Sequence, residues 1–326
     1  FFRAGIDCVF VSTLYHKLPS TDPLKTTVYN YATNMLGSLY QRTDSSAYPE
    51  YKDWKDPAKL ADGPGCGFVA MAFATGYGYV SQSQWYKNRA LEAAQAMNQY
   101  YQNNKSSLQN PMITDSDCTR SAKANNIMAI MAAGLADVAL HLFPGDPYSF
   151  PYRDALTTFA NYARNSKNSN NDLWRYGGGS NDTVDGGARK KCAMILGYDV
   201  WVVAGLAKAA VGTTYTRPPN TPSSVFWTTA RAGVNGLQTL KNLNGVFPQY
   251  TGGNYTNNVS KSEAPGHVLP VSWAKEQAVL DMAIRDVGGY LKAAEDENGG
   301  DGDEANFHRL LWGLTGAMEY NLTIAM

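Results

Sequence analysis

The chain alternates between stretches that are apolar on every side and stretches that are apolar on one side only. The all-apolar stretches are 63–80, 122–142 and 188–211, and the one-sided stretches that follow them are 81–104, 152–166 and 223–243. A helix that is apolar all round is buried on all sides, whereas an amphipathic helix lies at the surface. The order therefore predicts helical hairpins, each made of one buried helix and one half-exposed helix.

The stretch 81–104 shows the one-sided pattern in detail. Its apolar positions are spaced 4, 3, 4 and 3 residues apart, and they are Tyr86, Ala90, Ala93, Met97 and Tyr100. The opposite face carries Lys87, Arg89, Glu92 and Gln95. This spacing predicts an outer helix with one buried stripe, and Ser81 or Ser83 is expected to cap its start.

The hairpin pattern extends over nearly the whole chain. A first hairpin is predicted from 5–18 and 24–42, and a last one from 272–294 and 304–322. We therefore predict one all-α domain over 1–326, an (α/α) toroid or barrel of about five to six hairpins in two concentric layers. An open solenoid fits less well, because its helices are exposed more evenly.

Long connections lie between the predicted helices. They are 43–62, 104–120, 166–187, 244–271 and 295–303. Loops of this length in a compact domain are usually functional or disordered, and these are expected to gather at the N-terminal ends of the inner helices. Turn signals in 244–270 also suggest a short β-hairpin there.

Charge and motifs exclude several classes of function. Lys and Arg together number 28, as do Asp and Glu, so the net charge is zero and no basic field suited to nucleic acid or an anionic membrane is indicated. No uninterrupted apolar run reaches the length of a membrane span. Phosphate-binding, dinucleotide-binding, zinc-protease and serine-hydrolase motifs are absent from the sequence. We expect no cofactor and no metal.

Several features are typical of secreted proteins that handle sugars. Only 17% of residues are charged, whereas Tyr occurs 21 times, and we expect an extracellular protein whose leader has been removed. An even number of cysteines predicts two disulfides of open pairing, with four buried thiols as the alternative. The cysteines are Cys8, Cys66, Cys118 and Cys192. Candidate N-glycosylation sites are Asn104, Asn181, Asn254, Asn258 and Asn321.

With this alternation, the sequence resembles the α/α-toroid, or six-hairpin, carbohydrate-active enzymes. The stretch "DGPGCGFVAMAFATGYGYVSQSQWYKNRALEAAQAM" is similar to a buried and outer helix pair of unsaturated-glucuronyl hydrolases. "RSAKANNIMA" resembles the alginate-lyase-like helix start and supplies Arg120, Asn125 and Asn126, while "LGYDVW" supplies Tyr198. Ile127 stands where those lyases have a His, so a lyase base would have to come from His267 or His308.

Candidate site residues come from the long loops and from the starts of inner helices. An inverting hydrolase needs two carboxyl groups about 6.5–9.5 Å apart, and we assign Asp182 and Asp185 to that pair, with helix capping by Asp185 as the alternative. A lyase would use Arg120, Asn125, Tyr198 and His267 to bind the uronate and to move protons. Further substrate-binding candidates are Arg189, Trp54, Trp174, Tyr176, Tyr250 and Trp273, with anchoring of the loops as the alternative for the aromatic ones.

The sequence thus predicts a secreted enzyme that cleaves a polysaccharide or oligosaccharide. Hydrolysis is preferred over β-elimination on a uronate glycan, because acids are plentiful and the lyase His is missing. A non-catalytic extracellular glycoprotein that binds glycan or builds an assembly is the alternative. The net neutrality and abundant Tyr also suit self-association of copies.

Overall fold

The computed structural model describes most of the first three quarters of the chain. The described residues are 2–45, 47, 53–61, 64–109, 125–165, 174, 194–215, 224–244, 250–251, 315 and 319. Side chains are described for most of these, but not for 2–3, 194–200, 236–244 and 250–251.

This part of the chain folds almost entirely into α-helices, and the predicted all-α class is confirmed. The helices are α1 (Phe2–Lys17), α2 (Lys25–Asp44), α3 (Gly65–Thr75), α4 (Gln84–Gln109), α5 (Asn125–Leu142), α6 (Arg153–Asn165), α7 (Leu196–Thr214) and α8 (Val225–Asn244). A π-helical turn, Gly76–Val80, continues α3, and a 3₁₀ turn, Pro147–Ser149, precedes α6.

The odd-numbered helices form an inner layer and the even-numbered helices cover it. Each inner helix packs against the next, in the order α1, α3, α5 and α7, and each is followed by an outer helix that packs on it. Every residue of α3 from Cys66 to Thr75 is buried, whereas α2 buries only Ala32, Leu36, Leu39 and Thr43. The two kinds of helix therefore differ in burial as their hydrophobic patterns predict.

The outer helix α4 follows its predicted pattern with one exception. All five residues of its apolar stripe are buried, and Ser83 Oγ accepts a hydrogen bond from the backbone N–H of Trp85 at the helix start. The exception is Arg89, which the pattern places on the solvent-exposed face but which is buried. Its guanidinium lies over the ring of Tyr40 and donates hydrogen bonds to acidic side chains. These protein groups take the place of the solvent that the helix pattern predicts around Arg89.

Neighbouring inner helices run parallel and lie very close together. A Cβ on Gly205 of α7 would collide with Ala129 O of α5, and one on Gly212 would stand 2.7 Å from Ala136 Cβ. Both contact positions advance by seven residues, so α5 and α7 point in the same direction. Gly5, near the start of α1, likewise meets Phe68, near the start of α3. The N-terminal ends of the inner helices thus lie on one face.

A short two-stranded sheet lies at the start of α7. β1 (Met194–Ile195) pairs antiparallel with β2 (Tyr250–Thr251), with Met194 opposite Thr251 and Ile195 opposite Tyr250. The sequence predicted a helix from 188, and this start is corrected, because 194–195 form a strand and α7 begins at Leu196. The hairpin predicted inside 244–270 stays a prediction, since most of that range lies outside the described residues. The strand at 250 pairs with the two residues that precede α7, which come from a distant part of the chain.

One described helix has the length and composition of a membrane span. It is α5, with a mean hydropathy of 1.3, and 83% of that stretch is buried. Its contacts with α3, α6 and α7 are those of a core helix, and core helices meet the same criterion. The length and composition of α5 are therefore only weak evidence that it spans a membrane.

Candidate functional site

The start of α5 places two amide side chains at the N-terminal end of the inner layer. Asn125 and Asn126 open this helix, and both are buried. No described residue donates a hydrogen bond to the Oδ1 atom of Asn126, and 110–124, which precede α5, lie outside the described residues. Backbone N–H groups in a first helical turn have no partner within the helix. This end of α5 therefore offers hydrogen-bonding groups to a polar ligand.

The start of α7 lies on the same face and carries two more predicted site residues. Tyr198 is the third residue of α7, and Tyr250 pairs through its backbone with Ile195, directly before that helix. The structure therefore brings these two segments together, as expected for loops that gather at the inner-helix N-termini. Their side chains lie outside the described part.

Two of the predicted sugar-stacking residues are buried anchors. Trp54 donates its Nε1–H to Thr43 O at 3.3 Å, and Trp174 donates its Nε1–H to Ala163 O at 2.8 Å. Both indoles are almost fully buried, so neither presents a ring face to a sugar. These contacts correspond to the alternative in which the aromatic residues anchor the loops. Trp54 anchors its loop to the end of α2, and Trp174 anchors its loop to the end of α6.

The remaining predicted site residues lie outside the described residues. The catalytic candidates among them are Asp182, Asp185 and His267, and the substrate-binding candidates are Arg120, Arg189, Tyr176 and Trp273. The same holds for Cys118, Cys192, Asn181, Asn254, Asn258 and Asn321. All of them stay predictions.

The two described cysteines are not bonded to each other, and the prediction of two disulfides stays a prediction, since Cys118 and Cys192 lie outside the described residues. Cys8 on α1 and Cys66 on α3 are free and buried. Burial raises the pKa of both thiols, and the charge of Asp7 adds to the rise at Cys8. Cys66 Sγ donates to Ala93 O at 3.5 Å. Each thiol behaves as a small apolar group of the core.

The described glycosylation candidate, Asn104, lies at a kink inside α4. Its backbone is not helical, with φ −124° and ψ 15°. Its Nδ2 atom, which would carry a glycan, donates a hydrogen bond to Tyr100 O at 2.9 Å. Attachment of a sugar would compete with this contact.

A buried charged cluster inside the inner layer was not anticipated. Lys208 Nζ on α7 lies 2.7 Å from both Asp137 Oδ1 and Oδ2 on α5, and it also pairs with Glu319. Thr13 Oγ1 on α1 donates to Glu319 Oε1 at 3.3 Å. We call these four residues the interior cluster. All are nearly fully buried, so they are out of reach of a polymer.

One lysine in this cluster faces two carboxyl groups. Burial raises the pKa of Asp137, against the opposing effect of Lys208, and burial together with Asp137 raises that of Glu319. Burial alone would lower the pKa of Lys208, but the two carboxylates outweigh it and raise that pKa. All three groups therefore hold their protons more firmly than the same groups do in water.

The signal for this cluster was visible in the sequence. Asp137 is the only Asp, Glu, Lys or Arg in α5, and Lys208 interrupts an otherwise apolar part of α7. A lone charge on an all-apolar helix must find an opposite charge. Which charges meet depends on how the helices lie along one another.

Comparison with known proteins returns no relative. No protein-family model, curated protein or solved structure matches this chain. Within the part of the chain that is described, no three His, Cys, Asp or Glu side chains form a group suited to a metal ion.

Proposed function

We propose that the helical hairpins form a closed (α/α) toroid whose N-terminal face binds and cleaves a carbohydrate. Parallel inner helices in sequential contact support the ring. Glu319 supports its closure, because it touches both α1, through Thr13, and α7, through Lys208. A residue near the end of the chain thus lies between the first and fourth inner helices.

The filled interior limits where a ligand can bind. Phe68 of α3 and Trp201 of α7 meet edge to face at 4.7 Å, and neither side chain is exposed. Lys208 lies seven residues further along α7, so the interior cluster fills the deeper level. A ligand therefore lies across the N-terminal face rather than in a channel through the ring.

The observation that carries the proposal is the buried amide pair on this face. Among the described residues, none donates a hydrogen bond to the amide oxygen of Asn126, and such groups suit the hydroxyls of a sugar. Asp182 and Asp185, which precede α7 in the chain, are assigned as the acid and base of hydrolysis. Arg120, Arg189, Tyr176 and Trp273 would bind the substrate.

The test is a screen of neutral and uronate-containing polysaccharides with the purified protein. We expect new reducing ends from the wild type and at least a hundredfold loss in D185N. D146N is the matched control, because Asp146 only caps a 3₁₀ turn and Asn is an equally good cap. Full activity in D185N would overturn the assignment of Asp185.

Two other functions are kept because particular observations favour them. β-Elimination would use Asn125, Tyr198 and His267, and its product would absorb near the ultraviolet edge through a new C4–C5 double bond. The filled interior favours a non-catalytic protein that binds glycan or assembles with its own copies. Glycan binding without any cleavage across the whole screen would support that third function.

A further inference from the structure

An aromatic and charged cluster lies in the outer layer of the protein, at the beginning of α4. It is formed where the outer helices α2 and α4 lie beside each other, together with residues 53–61. Its members are Tyr40, Asp44, Lys55, Trp85, Arg89 and Glu92. We call it the side-wall cluster, and it shares no residue with the proposed catalytic face.

The most exposed member is Trp85, whose side chain is 68% accessible. Its ring stacks on Tyr40 with centroids 5.8 Å apart and an interplanar angle of 24°. Tyr40 in turn meets Phe73 of the core edge to face. The exposed indole therefore rests on a rigid aromatic base, unlike a single apolar side chain scattered on a surface.

A buried arginine holds the polar groups of the cluster in place. Arg89 lies 4.6 Å from the centre of the Tyr40 ring, and it donates to Asp44 Oδ1 at 2.8 Å and to Glu92 Oε2 at 2.7 Å. The two carboxylate groups themselves are about half exposed. They are thus fixed acceptors near the stripe of α4 that carries Trp85, with Glu92 two turns, about 10 Å, further along the helix, and little freedom would be lost when a ligand binds.

The charges of the cluster are balanced, which decides between classes of ligand. Two carboxylates face Arg89 and Lys55, whose Nζ lies 4.0 Å from Glu92 Oε1. An anion would meet the exposed carboxylates, and a cation would have to displace Arg89 from them. A neutral ligand with one apolar face and several hydroxyl donors fits both the indole and the acceptors.

We propose that the side-wall cluster is a surface binding site for a neutral oligosaccharide. The sugar's CH face stacks on Trp85, and its hydroxyls donate to the carboxylates of Asp44 and Glu92. The site is independent of the proposed catalytic face and would serve a cleaving enzyme or a glycan-binding protein equally.

The test measures binding of neutral β-1,4-linked and α-1,4-linked hexasaccharides by calorimetry, with the D185N protein so that no substrate is consumed. W85A is expected to lower affinity about tenfold, which corresponds to the loss of one stacking contact. W85F keeps a ring and is expected to retain part of the affinity. Y148A is the matched control. Tyr148 is also an exposed aromatic residue beside an arginine, with 76% exposure and Arg153 over its ring, but it lies outside the side-wall cluster.

Two results would overturn the proposal. One is that the D185N protein binds every hexasaccharide with the same affinity whether or not it also carries W85A. The other is a complete lack of binding to both hexasaccharides by folded protein, checked by circular dichroism. Residual cleavage by D185N is detected separately, by the reducing ends it releases, so failure of this site and failure of the catalytic assignment are told apart.

Discussion

At the scale of single residues, burial decides what each polar group does. Arg89 and Lys208 are both buried cations, and each has two carboxylate partners. The partners of Arg89 are half exposed, so water shares their charge. Those of Lys208 are buried, and burial raises the pKa of both carboxyl groups. The same pairing of one cation with two acids is thus partly hydrated in one place and withdrawn from water in the other.

Glu319 of the interior cluster makes stability depend on pH. The pKa of Glu319 is raised in the folded state by burial and by Asp137. Its proton therefore stabilises the fold fully below the unfolded pKa, and that contribution is lost as pH rises through the folded value. We expect wild type to lose stability relative to E319Q over this rise, because a neutral amide at this position does not titrate.

The measurement is urea denaturation of wild type and E319Q at a series of pH values between mildly acidic and mildly alkaline. Only the difference between the two proteins is used, since carboxyls remote from the interior cluster titrate equally in both. D22N is the control, because Asp22 caps the turn before α2 at an exposed position. A difference between wild type and E319Q that stays constant with pH would contradict a raised pKa of Glu319.

At the scale of elements, small residues set the distance between inner helices. Ala129 O lies where a Cβ on Gly205 would collide with it, and a backbone oxygen in a packed core has little room to move. We expect G205A to push α5 and α7 apart and to lower the free energy of unfolding by about 1–3 kcal/mol. Thermal and urea denaturation measure this loss.

The matched control is G37A on the outer helix α2. Nothing lies within 4 Å of a Cβ built on Gly37, so alanine there meets no neighbour. Since alanine favours a helix by about 0.5–1 kcal/mol over glycine, we expect G37A to stabilise the protein. If G205A also stabilised it, the close approach of α5 and α7 would be wrong.

Helix positions followed from the sequence well, because hydrophobic periodicity is local. The stripe from Tyr86 to Tyr100 is buried as predicted, and α1 and α2 form the expected first hairpin. Strand pairing did not follow, since the partner of Tyr250 is Ile195, 55 residues earlier. The indoles of Trp54 and Trp174 were also misplaced, because a loop sequence does not show which way its aromatic ring turns.

At the scale of the whole molecule, the proposed closure of the helical ring requires contacts between residues far apart in the chain. Thr13 and Glu319 are 306 residues apart and share a hydrogen bond. A double-mutant cycle with T13V and E319Q should give a coupling energy of about 1 kcal/mol, measured by urea denaturation. T229V is the control, because the Thr229 hydroxyl donates to Val225 O within α8. Coupling for T13V no larger than for T229V would count against closure.

The sequence by itself determined the all-α class, the order of buried and half-exposed helices, and the presence of lone charges in apolar helices. Those properties depend on which residues recur every three or four positions. Only the tertiary structure decided that Asp137 meets Lys208 and Glu319, that Arg89 is buried against Tyr40, and that Trp54 and Trp174 turn inward. These contacts depend on how far each helix is shifted and rotated against its neighbours, and local periodicity carries no information about that shift.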